Sequence, residues 1–264
     1  MKKPRGFVVW QGASVLDGKP VVLIATRGNS GKKANGKTGA MVQTYILRAD
    51  IPPIEAMQTG EDASICGACP HKPSVNGTCY VRIDTGPTQV WRAYKRGLSY
   101  QNVACDDAGR LFKGELIRIG AYGDPAAIPF PIWRELLAYS AGHTGYTHQW
   151  KRTDSQRLAR YCMASCDNEE EEREARALGW RTFTVVTKRA HETRHGLPVI
   201  PGSFLCPASE EGGRKLKCEE CLACDGLKGG RKASVYIPVH GVQFKQTRFN
   251  LITIGGSNHA ASRL

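Results

Sequence analysis

The chain has no long apolar run, no internal repeat and no low-complexity tract. No window of its 264 residues approaches the roughly 20 apolar residues that a membrane-spanning helix needs. The basic start MKKPRGF leads into no sustained apolar segment of the kind found in a secretory leader. Hydrophobic residues make up 41% and charged residues 23%, which is ordinary for a globular protein. We therefore expect a cytoplasmic protein with no membrane partner.

Acidic residues are scarce at both ends. The first 48 residues contain nine Lys and Arg residues against one acid, Asp17, and the segment 241–264 has no acid at all. The formal net charge is +13, which favours binding to polyanions. We expect a nucleic acid as partner, DNA rather than RNA. The glycine-rich segment 27–39 is either a phosphate-binding loop or an exposed hairpin tip, and its cations are the candidate contacts: Arg27, Lys32, Lys33 and Lys37.

Cysteine is the abundant exception, with ten residues of which nine fall into three groups. In a reducing cytoplasm, clustered cysteines indicate metal binding rather than disulfides. The last group contains Cys206 and a Cys218-x-x-Cys221-x-x-Cys224 motif, with His240 following. Either Cys206 or His240 could complete four ligands, so the segment 206–240 predicts a zinc knuckle.

The first cysteine group is Cys66-x-x-Cys69 followed by Cys79, with His71 nearby. Prolines and glycines around it permit tight turns. A second zinc ion, a [4Fe–4S] cluster with one open iron and a redox pair all fit this spacing. The remaining group, Cys162 and Cys166, flanks a predicted strand, where burial is expected for Cys162.

The order of predicted elements indicates an α/β protein with three segments. Antiparallel strands with a basic loop are expected over residues 1–60, and a cysteine-containing segment with a helix over 61–114. From residue 115 to 264, strands alternate with helices, including a helix over 169–178 that begins after Asp167 and Asn168. This alternation predicts a parallel sheet, as a complete or truncated (β/α) barrel.

Three polar residues follow predicted strands of the third segment. They are Asp124 after IRIGAYG, His148 in GYTHQW, and Asp167 after CMASC. Catalytic groups of barrels lie at the carboxyl ends of strands, so two carboxylates could act as nucleophile and acid/base with His148 orienting a substrate. Helix capping at Asp167 and a simple turn at Asp124 explain the same residues without catalysis.

The order Cys218, Cys221, Cys224 and His240 resembles the structural zinc site of the tRNA-guanine transglycosylases and their phage relatives that act on DNA. The first gap is two residues rather than one, and the stretch to the histidine is shorter. The resemblance covers roughly residues 115–250. It implies a zinc-containing barrel that exchanges guanine for a deazaguanine-type small molecule in DNA, with two aspartates at the reacting sugar.

A second resemblance is to phage proteins with radical-SAM-like barrels. Cys66, Cys69 and the Cys79-Tyr80 pair, followed by the turn in 120–125, echo their order of motifs, although the cysteine spacing departs from the usual one. This resemblance implies an iron–sulfur cluster at the first cysteine group. Three functions therefore stay open: phage-type base exchange in nucleic acid, iron–sulfur redox chemistry, and zinc-stabilised nucleic-acid binding without catalysis.

Overall fold

The fold is taken from a computed structural model of the chain. It describes residues 6–29, 31, 34–97, 100–194, 196, 198–213, 215–227, 230, 233–240 and 243–259, with only the backbone at Cys105 and over 254–259. In the described part of the chain, no helix is long and apolar enough to cross a membrane.

Strands and helices alternate along most of the described chain. The strands are β1 (Gly6–Ala13), β2 (Pro20–Thr26), β3 (Val42–Arg48), β4 (Gln101–Asn102), β5 (Leu116–Tyr122), β6 (Gly142–Thr144), β7 (Tyr146–Thr147), β8 (Met163–Cys166), β9 (Thr182–Val186), β10 (Ser203–Leu205) and β11 (Ser234–Pro238). The helices are α1 (Pro53–Gln58), α2 (Ala63–Cys66), α3 (Gly86–Lys95), α4 (Cys105–Leu111), α5 (Phe130–Leu136), α6 (Glu169–Ala177), α7 (Lys188–Thr193), α8 (Cys218–Cys221) and α9 (Gln243–His259). Short 3₁₀ helices span Pro73–Val75, Pro125–Ala127 and Thr153–Arg160.

The first sheet is mixed and has the order β4-β1-β2-β3-β5-β6. Strands β1, β2 and β3 pair antiparallel, which confirms the expected N-terminal antiparallel region. The Asp17 side chain accepts a hydrogen bond from the Lys19 amide, and Gly18 has φ +79, so this dipeptide makes the β1–β2 turn. Strand β3 then pairs parallel with β5, and β5 with β6.

The second sheet is wholly parallel, with the order β10-β11-β9-β8-β7. Strands β6 and β7 are separated by Gly145 alone, whose amide donates to the Cys224 carbonyl. A Cβ at Gly145 would lie 2.9 Å from the Cys162 sulfur, so a larger residue does not fit there. The α/β class is confirmed. No ladder joins β4 to β10 among the described strands, and a closed barrel stays a prediction.

One main apolar core connects the segments expected from the sequence. It includes Phe7 and Leu23 from the N-terminal strands, Ile65 from α2, and Trp133 and Trp180 from the α/β region. A separate small apolar cluster surrounds the last cysteine group, with Val235 and Ile237 of β11 packed beside Cys206 and Cys224. The N-terminal strands and the α/β region therefore share one core, and a second, smaller cluster packs against the last cysteine group.

Two predicted helices are confirmed and one differs in type. Helix α6 begins after Asn168, whose side-chain oxygen accepts the Glu171 amide at 2.8 Å. Helix α3 is the helix expected within the second segment, 61–114. In the third segment, Thr153–Arg160 forms a 3₁₀ helix rather than an α-helix. The predicted strand in GYTHQW ends at Thr147, because the His148 amide and the Gln149 side chain bond to other parts of the chain.

Candidate functional site

A cavity of about 640 Å³ lies at the carboxyl ends of the parallel strands and against one face of them. Cysteines from the first and the last sequence group both line it, as do most of the other residues expected at a site. The lining residues predicted from sequence are Lys37, Cys66, Cys69, Cys79, Asp124, His148, Asp167, Cys206, Cys218, Cys221, Cys224 and His240. The described cysteines form no disulfide.

The first cysteine loop is locked to the end of β7. Helix α2 ends at Cys66, and Gly67 follows with φ +58 and ψ −136, a conformation that favours glycine. The Gln149 side chain donates to the Cys66 carbonyl at 3.0 Å and accepts the Ala68 amide at 3.2 Å. Gln149 is buried. Its two bonds therefore fix the loop between Cys66 and Cys69 against the parallel sheet.

Cys79 is held from two sides. Its amide donates to the His71 carbonyl at 2.9 Å, and the ammonium of Lys245 in α9 donates to the Cys79 carbonyl at 2.6 Å. Burial raises the pKa of the Cys79 thiol, and the charge of Lys245 opposes that shift. Burial also raises the pKa values of Cys66 and Cys69, with neighbouring thiols and Asp124 acting in the same direction. Burial therefore disfavours the thiolate form of all three cysteines.

Three cysteines of the last group, Cys218, Cys221 and Cys224, lie on α8 and the turn after it. Leu222 has φ +48, so the chain reverses between Cys221 and Cys224. The Cys218 amide donates to the Lys37 carbonyl at 2.8 Å, and the Ala40 amide donates to the Glu219 carboxylate at 2.6 Å. The end of the basic loop is therefore docked on α8.

A buried arginine anchors the chain after Cys224. Arg181 donates to the carbonyls of Ala223 and Ala233 at 2.8 and 2.7 Å, and also to the Gly226 carbonyl. It pairs with Asp225 at 2.7 Å. Because a guanidinium offers five donors in a fixed plane, one side chain can hold this whole turn.

Cations face the last cysteine group. Burial raises the pKa of Cys224 to about 12, and a hydrogen bond with Tyr146 opposes this shift. Burial likewise raises the pKa of Cys218, against the charges of Arg118 and Lys37. The guanidinium of Arg118 also donates to the Tyr80 hydroxyl at 2.5 Å. Positive charge near thiolates stabilises a negatively charged metal centre.

His71, Asp167 and His148 meet inside the cavity. The Nε2 atom of His71 lies 2.7 Å from Oδ2 of Asp167, and both side chains are buried. The His71 and His148 rings are 5.6 Å apart between centroids. Burial lowers the pKa of His148, and the nearby His71 acts in the same direction. Asn168 caps α6, which leaves the Asp167 side chain to the cavity.

Asp124 acts as a connector between β5 and β7. One carboxylate oxygen accepts the Thr147 hydroxyl at 2.7 Å and the Ala126 amide at 2.9 Å, and the other accepts the His148 amide at 2.8 Å. Burial raises the pKa of Asp124, and these hydrogen bonds oppose that shift. Three internal donors thus engage the carboxylate that the sequence placed at the reacting centre.

His71, His148 and Asp167 can together hold a metal ion. Their ligand atoms lie within 4.8 Å of one another, and in the described part of the chain no set of three thiols is as close. A tetrahedral zinc site with Zn–S bonds of 2.3 Å needs sulfur atoms about 3.8 Å apart. The cysteine groups are therefore more open than a formed zinc knuckle, and zinc at 206–240 stays a prediction.

The other candidate residues from the sequence are Arg27, Lys32, Lys33 and His240, and the described ones, Arg27 and His240, do not share one location. Arg27 pairs with Glu115 at 2.9 Å and packs over the Phe112 ring, away from the cavity. Lys32 and Lys33 lie outside the described residues. His240 is exposed at the cavity, with Nδ1 3.1 Å from the Pro238 carbonyl oxygen.

Sequence reasoning did not assign three residues that shape the site: His71 as a partner of Asp167, Gln149 and Arg181. The closeness of His71 to Cys69 was the available signal for the first. Comparison with protein-family models, with curated proteins and with solved structures finds no match to this chain.

Proposed function

We propose that the protein is an iron–sulfur enzyme that modifies nucleic acid. One observation is the main support: cysteines from two groups that are distant in sequence line a single cavity, together with His71, His148 and Asp167. A purely structural zinc knuckle has no need to face a cavity of this size. Thiolate groups beside titratable side chains in a cleft are instead the usual arrangement of a reactive centre.

The donor sets fit iron–sulfur clusters. Cys206, Cys218, Cys221 and Cys224 offer four thiolates, as an all-cysteine cluster requires, and the first group offers three. A cluster is larger than one ion, so it accepts thiols that stand wider apart than the ligands of a single zinc ion. When bound, such clusters supply one-electron chemistry, and the open iron of a three-cysteine cluster can bind a small molecule.

The chain's own residues have three tasks in this proposal. Gln149 and Lys245 position the first cysteine loop, and Arg181 positions the last. Without a bound metal ion, the buried His71–Asp167 pair can hold or move a proton at Nε2 beside the substrate space. Lys37 at the cavity and the net charge of +13 support a polyanionic substrate.

Base exchange is the second candidate, because both carboxylates expected for it line the cavity. Incubation of the protein with DNA or tRNA that contains labelled guanine, plus a deazaguanine acceptor, tests it. We expect no release of label, since Asp124 is engaged by three donors and Asp167 by His71. Release of label would favour base exchange over the iron–sulfur proposal.

The iron–sulfur proposal is tested by iron and sulfide content and the visible spectrum after purification without oxygen. Cys69→Ser and Cys221→Ser should each lose about half of the iron and sulfide, because each change disrupts one of two clusters. Cys162→Ala is the matched control, since that thiol is buried in the main core and lies outside both groups. A wild-type protein that contains zinc, no sulfide and no visible absorption would contradict the proposal.

A further inference from the structure

His71, His148 and Asp167 come from three separate elements that converge in the cavity. His148 follows β7 and Asp167 follows β8, and these two strands are parallel neighbours, so their carboxyl ends lie side by side. His71 comes from the loop after Cys69. The three ligand atoms lie within 4.8 Å of one another.

Contacts with Thr78 and Phe249 fix the orientation of the His71 ring. Its Nδ1 atom lies 2.7 Å from the Thr78 hydroxyl, and its ring stacks on Phe249 with centroids 5.5 Å apart. Nε2 is thereby directed at Asp167. A histidine that binds metal through one nitrogen commonly uses the other for an orienting hydrogen bond, and Thr78 fills that role here.

The other two ligands stand on backbone that is also fixed. The Asp167 amide donates to the Glu171 carboxylate at 2.9 Å, and the His148 amide donates to Asp124 at 2.8 Å. The Asp167 side chain is not needed as the cap of α6, because Asn168 caps that helix. The donor set is therefore held in place before any ion arrives.

We propose that His71, His148 and Asp167 bind one divalent cation of the manganese or ferrous class, separate from the cysteine groups. Two imidazoles and one carboxylate are harder ligands than thiolates, and this set leaves coordination positions open. Those positions face the cavity, where an oxygen atom of the substrate can occupy them. This inference does not depend on the iron–sulfur proposal, since the two donor sets share no residue.

The same three side chains could instead work without metal, as a His–Asp pair with a second imidazole beside it. Manganese separates the two cases, because Mn²⁺ prefers carboxylate and imidazole ligands to thiolates and so avoids the cysteine groups. The probe is Mn²⁺ alone, added to the full chain after anaerobic reconstitution with iron and sulfide and after a chelator has removed ferrous iron that is not part of a cluster. Free Mn²⁺ is measured by electron paramagnetic resonance.

The variants are Asp167→Asn and His148→Gln, which keep size and polarity but remove a good ligand. His191→Gln is the matched control, since His191 lies in α7 and does not line the cavity. We expect one Mn²⁺ per chain in the wild type and in the control, and an affinity lower by about 10-fold or more in both variants. Melting temperatures and circular dichroism verify that each variant is folded.

Cobalt binding gives a second measurement. Co²⁺ at the proposed site adds weak visible bands without sulfur-to-cobalt charge transfer, and these are seen in the difference between the wild type and Asp167→Asn, in which signals from the cysteine groups cancel. The proposal is overturned when the wild type binds neither ion, or when both variants bind Mn²⁺ as the wild type does. Iron and sulfide measured in the same samples show separately whether the cysteine groups are loaded, so the two proposals fail independently.

Discussion

The Nε2 atom of His71 lies 2.7 Å from Oδ2 of Asp167, although the two residues are 96 positions apart in sequence. This contact joins the loop of the first cysteine group to the carboxyl end of β8. Gln149 joins the same loop to the end of β7. The position of the first cysteine group is therefore set by the parallel sheet. Substitutions at either contact should change the positions of the thiols.

Asp124→Ala should destabilise the fold rather than remove only activity. The substitution leaves the Thr147 hydroxyl and the amides of Ala126 and His148 without their buried acceptor, at a cost on the order of 3 kcal/mol. Denaturant unfolding measures it, with Asp154→Ala as a control on an exposed ion pair. Unchanged stability combined with lost activity would instead support Asp124 as the nucleophile of base exchange.

Arg181→Met should lower both stability and the metal content of the last cysteine group. Removal of the guanidinium leaves Asp225 and three carbonyls without their donor, and breaking such a buried pair costs about 3–5 kcal/mol. Arg173→Met, on the exposed side of α6, is the control. Metal analysis and thermal unfolding provide the readouts. Retention of full metal content would show that the turn after Cys224 holds its shape without Arg181.

Gly67→Ala should impair the first cysteine group. A Cβ at this position would lie 2.5 Å from the Gln149 side chain, and the backbone has φ +58. Gly97→Ala is a matched control, because Gly97 also has a positive φ, +70, but has nothing within 4 Å of the added atom. Iron and sulfide content should fall in Gly67→Ala and stay at the wild-type level in Gly97→Ala. Equal loss in both variants would assign the effect to backbone strain alone.

Cys162 should resist alkylation in the folded chain at neutral pH. Burial raises its pKa well above the ordinary value, so the reactive thiolate is scarcer than in the unfolded chain, where a cysteine has a pKa of about 8.5. Mass spectrometry after brief iodoacetamide treatment checks this. The label should appear at Cys162 only when denaturant is added, and its yield in the unfolded chain should rise with pH. Rapid labelling under native conditions would mean that the core opens locally near Gly145.

Lys37→Ala and Arg27→Ala should differ in their effect on DNA binding. Lys37 lies at the cavity with no ion pair to a carboxylate among the described residues. Its loss should therefore reduce the slope of log K for DNA binding against log salt concentration by about 1. Arg27 is engaged by Glu115 and Phe112, so its loss should affect stability more than binding. Binding isotherms at several salt concentrations measure both. An identical slope change in the two variants would contradict this difference.

The sequence predicted those helices and strands that depend on residues close to one another in the chain. Helix α6 and its Asn168 cap, and the antiparallel strands β1 to β3, follow from residues that are neighbours in sequence. Helix α9 was not predicted, because its apolar residues show no clear face. Polar residues that follow β5, β7 and β8 line one cavity. This could be expected from the sequence, since parallel strands end at a common edge.

Contacts between distant segments could not be predicted in the same way. Nothing near Asp167 indicates that His71 is its partner, and nothing near Arg181 indicates that it holds the turn after Cys224. Asp124 was expected to act as a catalytic carboxylate, yet its oxygen atoms are engaged by Thr147, Ala126 and His148. Such roles depend on tertiary distances, which the spacing of residues along the chain does not fix.

The docking of the basic loop on α8 couples two properties of the chain. The Lys37 carbonyl accepts the Cys218 amide, and Glu219 accepts the Ala40 amide, so the loop and the last cysteine group share a backbone support. Under the iron–sulfur proposal, a cluster bound by these thiols would fix α8 and with it the position of the Lys37 charge. Loss of that cluster should then change the affinity of the chain for polyanions.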